Sequence, residues 1–444
     1  LPFIQEYTNM EYSVEQEPNR AIITSKWGEI ETAEVKKDTQ VRYLGGVKSP
    51  ILTEVKKSDK VTVLEDEDDW MKVATADGYV GYIKTKFLKN QKKEKTSRDF
   101  TEPVYSDMTE DHSINMAWHN VTNAAANNAV QQVLASTSGL TTIAPTWFSL
   151  ADTEGNISSI ADADYVNYAH TAGLEVWAVF RDFHGGTNSY DETYETLRYT
   201  SKRAKLEDQV VAAAVAAGVD GINLDFELIS SKCGVHYVQL VRELSVKCHQ
   251  NNLVFSVDNY VPQSYNSHYD LKEQGIVADY VVIMAYDEHT EGSYEAGSVA
   301  SISYLQDGIE KTLKKVSADK VIAGIPFFTR LWFETAKSPE QLSEEAGTEA
   351  ASYPNKVSSK ALGMEEAAQS VVNAGATAQW DEKTQQNYAK WSADGGTYRI
   401  WLEDAQSLEA KLKVIQENKL AGVAEWSLGK EESSVWKLIS QYVN

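Results

Sequence analysis

The run Asp220-Gly221-Ile222-Asn223-Leu224-Asp225-Phe226-Glu227 sets two carboxyls and an amide at alternate positions. Side chains at i, i+2 and i+4 of a strand share a face. Asn223, Asp225 and Glu227 therefore point one way, and Ile222, Leu224 and Phe226 the other. Acids on one face with bulky apolar residues behind them make a poor core and a good proton donor. Like charges a few Å apart oppose double ionisation, so Asp225 can hold a proton on Glu227 near neutral pH. A lone Asp-x-Glu pair at a strand end is more often solvated or paired with Arg or Lys. The length of this run sets it apart.

The elements around the run say where it sits. The apolar helical pattern Val210 to Ala217 stops at Gly218, so a helix precedes the acidic strand. From Phe100 onward, strand-like and helical runs alternate. Strands are predicted over Ile114–His119, Thr142–Phe148, Leu174–Phe180, Gly221–Glu227, Leu253–Asp258, Tyr280–Tyr286, Lys320–Pro326 and Gly422–Trp426. Helical patterns lie between them, as over Asn123–Ala135, Asp162–Ala172, Thr193–Ala217 and Ile302–Lys315. Repeated βα units imply parallel strands with helical crossovers, and eight of them predict an α/β fold, a (β/α)8 TIM barrel over residues 100–444. Catalytic groups of such barrels sit at the carboxyl ends of strands, and Asp225 and Glu227 end the fourth. The stretch Phe327 to Ala421 exceeds what a minimal barrel needs. Its helix near Glu365–Ala374 and strands at Ala376–Trp380, Gln386–Trp391 and Tyr398–Leu402 predict a small α+β insertion between strands seven and eight.

The front of the chain differs. Residues 1–30 carry a short strand pattern at Ala21–Thr24 and read as an N-terminal arm. Residues 31–90 read as a small all-β barrel, with apolar runs at Gln40–Leu44, Val61–Leu64, Trp70–Ala74 and Gly78–Ile83 separated by polar turns. Asp77-Gly78 is a hairpin signal. Residues 91–99, in the lysine-rich stretch Lys89 to Asp99, read as an exposed linker.

Composition excludes several classes. At 444 residues the chain is long enough for two or more domains. A net charge of −23 argues against nucleic acid and against adsorption to anionic lipid. No run approaches the ~18 apolar residues of a membrane span. The chain opens Leu1-Pro2-Phe3-Ile4 without a methionine; a removed signal segment or a trimmed start would each give that opening. Cys233 and Cys248 flank one amphipathic helical pattern, Val235 to His249. A continuous helix parts them by about 20 Å, so two free thiols are expected. No Cys/His spacing resembles a zinc site, and no cofactor motif is present.

The acidic run resembles the D-G-x-D-x-D-x-E signature of family 18 glycoside hydrolases, the chitinases and related N-acetylglucosaminidases. Two further runs match that family's pattern. Met284-Ala285-Tyr286-Asp287 resembles its M-x-Y-D motif, and Ala424-Glu425-Trp426-Ser427-Leu428-Gly429 resembles its terminal tryptophan segment. The resemblance implies Glu227 as acid and then base, and Asp225 as the neighbour that orients the substrate's acetamido group. It implies Tyr286 as the hydrogen-bond donor to that group and Asp287 and Met284 as substrate contacts. Trp426 would be the platform under the sugar. Asn223 replaces an acid of the common pattern and could donate a hydrogen bond to Asp225. This form resembles the branch containing spore cortex-lytic and other peptidoglycan N-acetylglucosaminidases. Chitinases commonly show S-x-G-G at the third strand; here Val176 to Phe183 lacks it, with Gly185-Gly186 further on. Asp220, of opposite parity, is assigned a structural role. Trp147, Asp258, Asn259, Tyr260 and Arg330 are further cleft candidates because they follow apolar strands.

Asp69-Trp70-Met71-Lys72-Val73 with Gly78-Tyr79-Val80-Gly81-Tyr82-Ile83 resembles bacterial SH3-like domains, small barrels often attached to cell-wall hydrolases. Together the resemblances imply a secreted or wall-associated bacterial glycosidase. Its substrate would contain N-acetylglucosamine, and the SH3-like part would contact the wall or brace the enzyme. The alternative is a non-catalytic, lectin-like protein on the same barrel.

Overall fold

The computed structural model describes residues 2–101 and 106–443. The chain divides into two compact units, residues 1–106 and 107–444.

The first unit is a seven-stranded antiparallel sheet. Strand Trp70–Thr75 buries Met71, Val73 and Thr75 and leaves Trp70, Lys72 and Ala74 half-exposed, a period of two. Val35, Val41, Val61 and Ile83 from neighbouring strands complete its core. The turn at Asp77-Gly78 needs glycine twice over. Gly78 has φ +85°, and a Cβ there would stand 2.5 Å from the Ile22 side chain.

Two expectations for this unit change. Residues 91–99 are not a free linker, because Leu88–Thr96 is a strand that pairs antiparallel with Gly28–Val35. Its lysines hide the strand signal because they face glutamates of adjacent strands. Lys93 bonds Glu29 at 2.7 Å, and Lys60 pairs with Glu94. Nor is the arm a plain extension. It holds a helix, Pro2–Tyr7, and a hairpin, Glu11–Glu15 with Arg20–Thr24, before the sheet strand that starts at Gly28. The hairpin is fastened to the Asp77 turn by Arg20, whose Nε donates to the Asp77 carbonyl at 2.7 Å and whose guanidinium covers the Tyr79 ring.

The second unit is a closed barrel of eight parallel strands: Ile114–His119, Thr142–Pro145, Glu175–Arg181, Gly221–Asp225, Val254–Tyr260, Tyr280–Met284, Val321–Pro326 and Gly422–Trp426. Closure runs through the pairing of the first strand with the last. Ile222, Leu224 and Phe226 pack outward in the cluster shared with the surrounding helices. Ile114, Met116, Trp118, Trp177, Val179 and Val282 fill the interior. The helix before the acidic strand, Thr200–Ala217, ends at Gly218 with φ +76°, as its sequence dictates. Cys233 and Cys248 are buried free thiols at the two ends of the helix Gly234–Gln250.

The insertion is larger than its sequence suggests. A five-stranded antiparallel sheet joins Phe328–Ala336 and Asn355–Gly363 to the three shorter strands Gln379–Asp381, Gln386–Ala393 and Gly396–Leu402. The first two went unpredicted. Asn355–Gly363 buries only Leu362 and is rich in polar residues, and Phe328–Ala336 buries three of its nine residues. Among the described residues no helix is long and apolar enough to cross a membrane.

Candidate active site

A cleft of about 590 Å³ opens at the carboxyl ends of the barrel strands. It is lined by Trp118, Phe183, Asp225, Glu227, Asp258, Tyr260, Met284, Tyr286, Asp287 and Trp426. The first, third, fourth, fifth, sixth and eighth strands or the loops after them supply these groups.

The acidic strand ends at Asp225, so Glu227 lies beyond the ladder. Asp182, after the third strand, replaces the missing sheet bonds. Its Oδ1 accepts the Glu227 N–H at 2.8 Å, and its Oδ2 accepts the Leu228 N–H and the Thr193 hydroxyl, each at 3.0 Å. Tyr269 donates its hydroxyl to the carbonyls of Phe226 and Glu227. The loop carrying Glu227 is thus held from both sides. The Glu227 carboxylate accepts the Tyr260 hydroxyl, and among the described residues no cation pairs with it.

Asn223 is fully buried beneath the cleft floor and does not line it. Its Oδ1 accepts the Trp118 indole N–H at 3.0 Å. Its Nδ2 donates to Ser256 Oγ at 2.9 Å and to Asp258 Oδ1 at 2.7 Å. The expected bond to Asp225 goes to Asp258 instead, because Asp258 stands on the adjacent strand at bonding distance. Asp225 is left with a buried Oδ1 that has no partner among the described residues.

Four carboxyls therefore share a small, poorly solvated space. Burial, then the charges of Glu227, Asp258 and Asp182, pushes Asp225 well above the usual carboxylate range; Arg181, across the strand pair, opposes this. Burial lifts Asp182 to about 7 and Asp258 to about 8. Burial also raises Glu227, aided by Asp287 and opposed by the Tyr260 hydroxyl. The group titrates as a coupled set that keeps protons near neutral pH.

Aromatic rings wall the space above. Tyr286 meets Trp118 edge-on at 6.4 Å, and Trp118 leans on Trp426 at 6.0 Å. Burial raises the Tyr286 hydroxyl far above its ordinary range, so it remains a hydrogen-bond donor. Met284 and Asp287 face the same space.

Three sequence candidates stand elsewhere. Trp147 is a core residue: it is 2% exposed, meets Tyr165 edge-on at 4.9 Å and donates Nε1 to Asn127 at 2.8 Å. Its position after an apolar strand marks packing. Arg330 lies outside the cleft lining, bonded through Nη1 to Ser359, and acts on Asp287 by charge. Asn259 also turns away and exchanges hydrogen bonds with Gln274. Asp220 accepts the Val176 N–H at 2.8 Å, and His170 Nε2 lies 2.8 Å from the same oxygen, a structural brace. Gly185 and Gly186 lie against the backbone of Leu150 and Ala151 and pack the third-strand loop.

Sequence reasoning missed Trp118, Phe183 and Asp182. Trp118 sits in an apolar strand and looks like core. Its parity with Ile114 and Met116, which face the barrel interior, was the available signal.

Residues 117–431 match glycosyl hydrolases family 18, and residues 36–89 match the bacterial SH3 domain. An uncharacterized glycosylase of Bacillus subtilis, YvbX, is 26% identical over 295 residues, 64% of this chain and 80% of that protein. The cortical fragment-lytic enzyme of Bacillus subtilis is 27% identical over 256 residues, 55% of this chain and 54% of that protein. The chain thus spans about half the length of that second relative. The crystal structure of the Bacillus megaterium spore cortex-lytic enzyme SleL superposes with a TM-score of 0.61 at 20% identity, covering 79% of this chain and 78% of that one. That likeness carries the fold. With most of its length matched and the matched strands closing one acid-bearing cleft, the chain belongs to glycosyl hydrolase family 18 and carries a bacterial SH3 domain ahead of its barrel.

Proposed function

We propose that this glycosidase cleaves β-linked N-acetylglucosamine bonds with retention, using the substrate's own acetamido oxygen as nucleophile. In such substrate-assisted hydrolysis the enzyme needs one acid/base and a group that positions the acetamido arm. Glu227 supplies the proton to the departing glycosidic oxygen as the acetamido oxygen closes on the anomeric carbon. The same carboxylate then takes a proton from the water that opens the ring. Asp225 accepts the acetamido N–H and stabilises the positive intermediate. Tyr286 donates to the acetamido oxygen, Trp426 supports the sugar face and Asp287 binds a hydroxyl. Asn223 acts from below by fixing Asp258 and the Trp118 indole.

The observation that carries this reading is the Glu227 carboxyl itself. It reaches the cleft beside Asp225, its proton affinity is raised by burial, and among the described residues no guanidinium or ammonium pairs with it. The direct test is Glu227→Gln. Turnover should fall about 10²–10⁴-fold or more while oligosaccharide binding survives. Retention of most activity defeats the assignment.

Two features favour a peptidoglycan-type glycan over chitin: Asn223 in place of an acid and the missing S-x-G-G. On this reading the enzyme works outside the cytoplasm, with the SH3 domain contacting the wall. Product analysis on peptidoglycan and chitin side by side decides the substrate and the bond cut.

A further inference from the structure

Two cations, Arg330 and Lys430, act on Asp287 by charge without lining the cleft themselves. Arg330 belongs to the first insertion strand, and Lys430 follows the last barrel strand. Both are half-buried and both reach solvent. Arg330 donates only Nη1 to a protein acceptor, at Ser359, and its buried Nε has no partner among the described residues. Nη2 has no protein acceptor among the described residues, so it is the guanidinium's free donor toward a ligand carboxylate.

Lys430 places its ammonium over the Phe328 ring, 5.0 Å from the centroid. Phe328 in turn meets Tyr286 edge-on at 6.3 Å, so the ammonium lies one ring away from the sugar pocket. The Lys430 backbone carbonyl accepts the Met364 N–H at 2.8 Å, which fixes this loop to the insertion. Among the described residues neither cation has a carboxylate within 4.0 Å. Three buried cations elsewhere in the chain do: Lys411 holds Glu403 at 2.9 Å, Lys337 holds Glu345 at 2.6 Å and Arg203 holds Glu243 at 2.9 Å.

The local charge is unbalanced. Asp287 supplies one negative charge against two positive ones. The ammonium of Lys430 is pushed down chiefly by burial, with Asp287 opposing and Arg330 adding to the effect. In a chain with 65 acidic and 42 basic residues, partners were abundant. A half-buried cation without one is costly unless a ligand completes it.

Resting on the glycosidase reading above, we propose that Arg330 and Lys430 form a carboxylate-recognition site at the cleft rim, selecting glycans whose sugars near the scissile bond carry a carboxylate substituent. A neutral homopolymer of N-acetylglucosamine leaves both cations unmatched. A lactyl ether carboxylate on alternate sugars, or a carboxylate on a peptide attached through that ether, supplies the missing charge.

The test compares kcat/KM of the full chain on four oligosaccharides of equal length. One is a neutral N-acetylglucosamine oligomer, and one carries free lactyl carboxylates. The third has those carboxyls capped as methyl amides, and the fourth bears peptides with free carboxylates. The wild-type protein should prefer a carboxylate-bearing form over the capped form by about tenfold or more, the worth of a charged hydrogen bond. Salt should erode that preference. Whichever of the lactyl or peptide forms shows the gain identifies the source. Lys430→Gln and Arg330→Gln should each shrink the ratio, and Lys430→Arg should restore it. Equal values for the free and capped forms in the wild-type protein overturn the proposal, as does a ratio unmoved by both Gln variants. If no form is hydrolysed, the glycosidase reading fails. The recognition site is then judged separately, by the ratio of dissociation constants for free and capped oligosaccharides on the Glu227→Gln protein.

Discussion

Asp182 Oδ1 accepts the backbone N–H of Glu227 at 2.8 Å, so a buried acid of one strand end positions the acid of the next. Its other oxygen holds Leu228 and Thr193. Asp182→Ala removes these acceptors and should lower kcat by about 10–100-fold, the cost of one or two lost buried hydrogen bonds. KM should move much less, because Asp182 does not line the cleft. Asp182→Asn keeps an acceptor oxygen and should recover part of the loss. A fall confined to KM would contradict a positioning role.

Tyr260 donates to the Glu227 carboxylate, which favours the ionised form of the acid. Tyr260→Phe removes that donor, so Glu227 should release its proton at higher pH. The alkaline limb of the kcat/KM profile should move upward, with the optimum rate changed by less than about tenfold. A limb that moves to lower pH would show that the hydroxyl stabilises the protonated acid.

Several carboxyls carry folded-state pKa values far above those of an unfolded chain. Burial lifts Asp182 and Glu175 to about 7 and Glu207 and Asp258 to about 8. Between about pH 4 and pH 8 the folded protein binds more protons than the unfolded chain, so stability falls as pH rises. The stabilisation is fully present below about pH 4 for these groups and is lost as pH passes through 7 and 8. Melting should therefore occur a few degrees lower at about pH 8 than at about pH 5. A higher Tm at the alkaline end would refute this.

Trp147 packs against Tyr165 and bonds Asn127 well inside the core. Trp147→Ala should cost about 3–5 kcal/mol in denaturant unfolding. Trp147→Phe should cost less and leave KM for oligosaccharides close to wild type. A raised KM with unchanged stability would return this residue to the cleft.

The barrel and its acidic strand were legible because both rest on strict periodicities. Eight apolar runs spaced by helical patterns give the barrel, and parity puts Asp225 toward the interior with Leu224 and Phe226 outward. Met284, Tyr286, Asp287 and Trp426 were legible from local motifs and converge on one cleft. The rest depends on neighbours that a linear pattern does not display. Asn223 turns to Asp258 because the adjacent strand brings that acid within 2.7 Å. Trp147 and Trp118 both follow or end apolar runs, yet only Trp118 reaches the cleft. The strand Leu88–Thr96 was hidden because its order comes from cross-strand charge pairs, which carry no apolar alternation.

That same strand occupies one border of its sheet, where its outer backbone groups have no ladder partner in the sheet order. A border of this kind invites a strand from another molecule to dock and continue the ladder. Lys89, Lys92 and Lys93 are paired there with Glu34, Glu94 and Glu29. A strand docking there would have to settle among these hydrated charge pairs, so the feature that disguised this strand also guards its border.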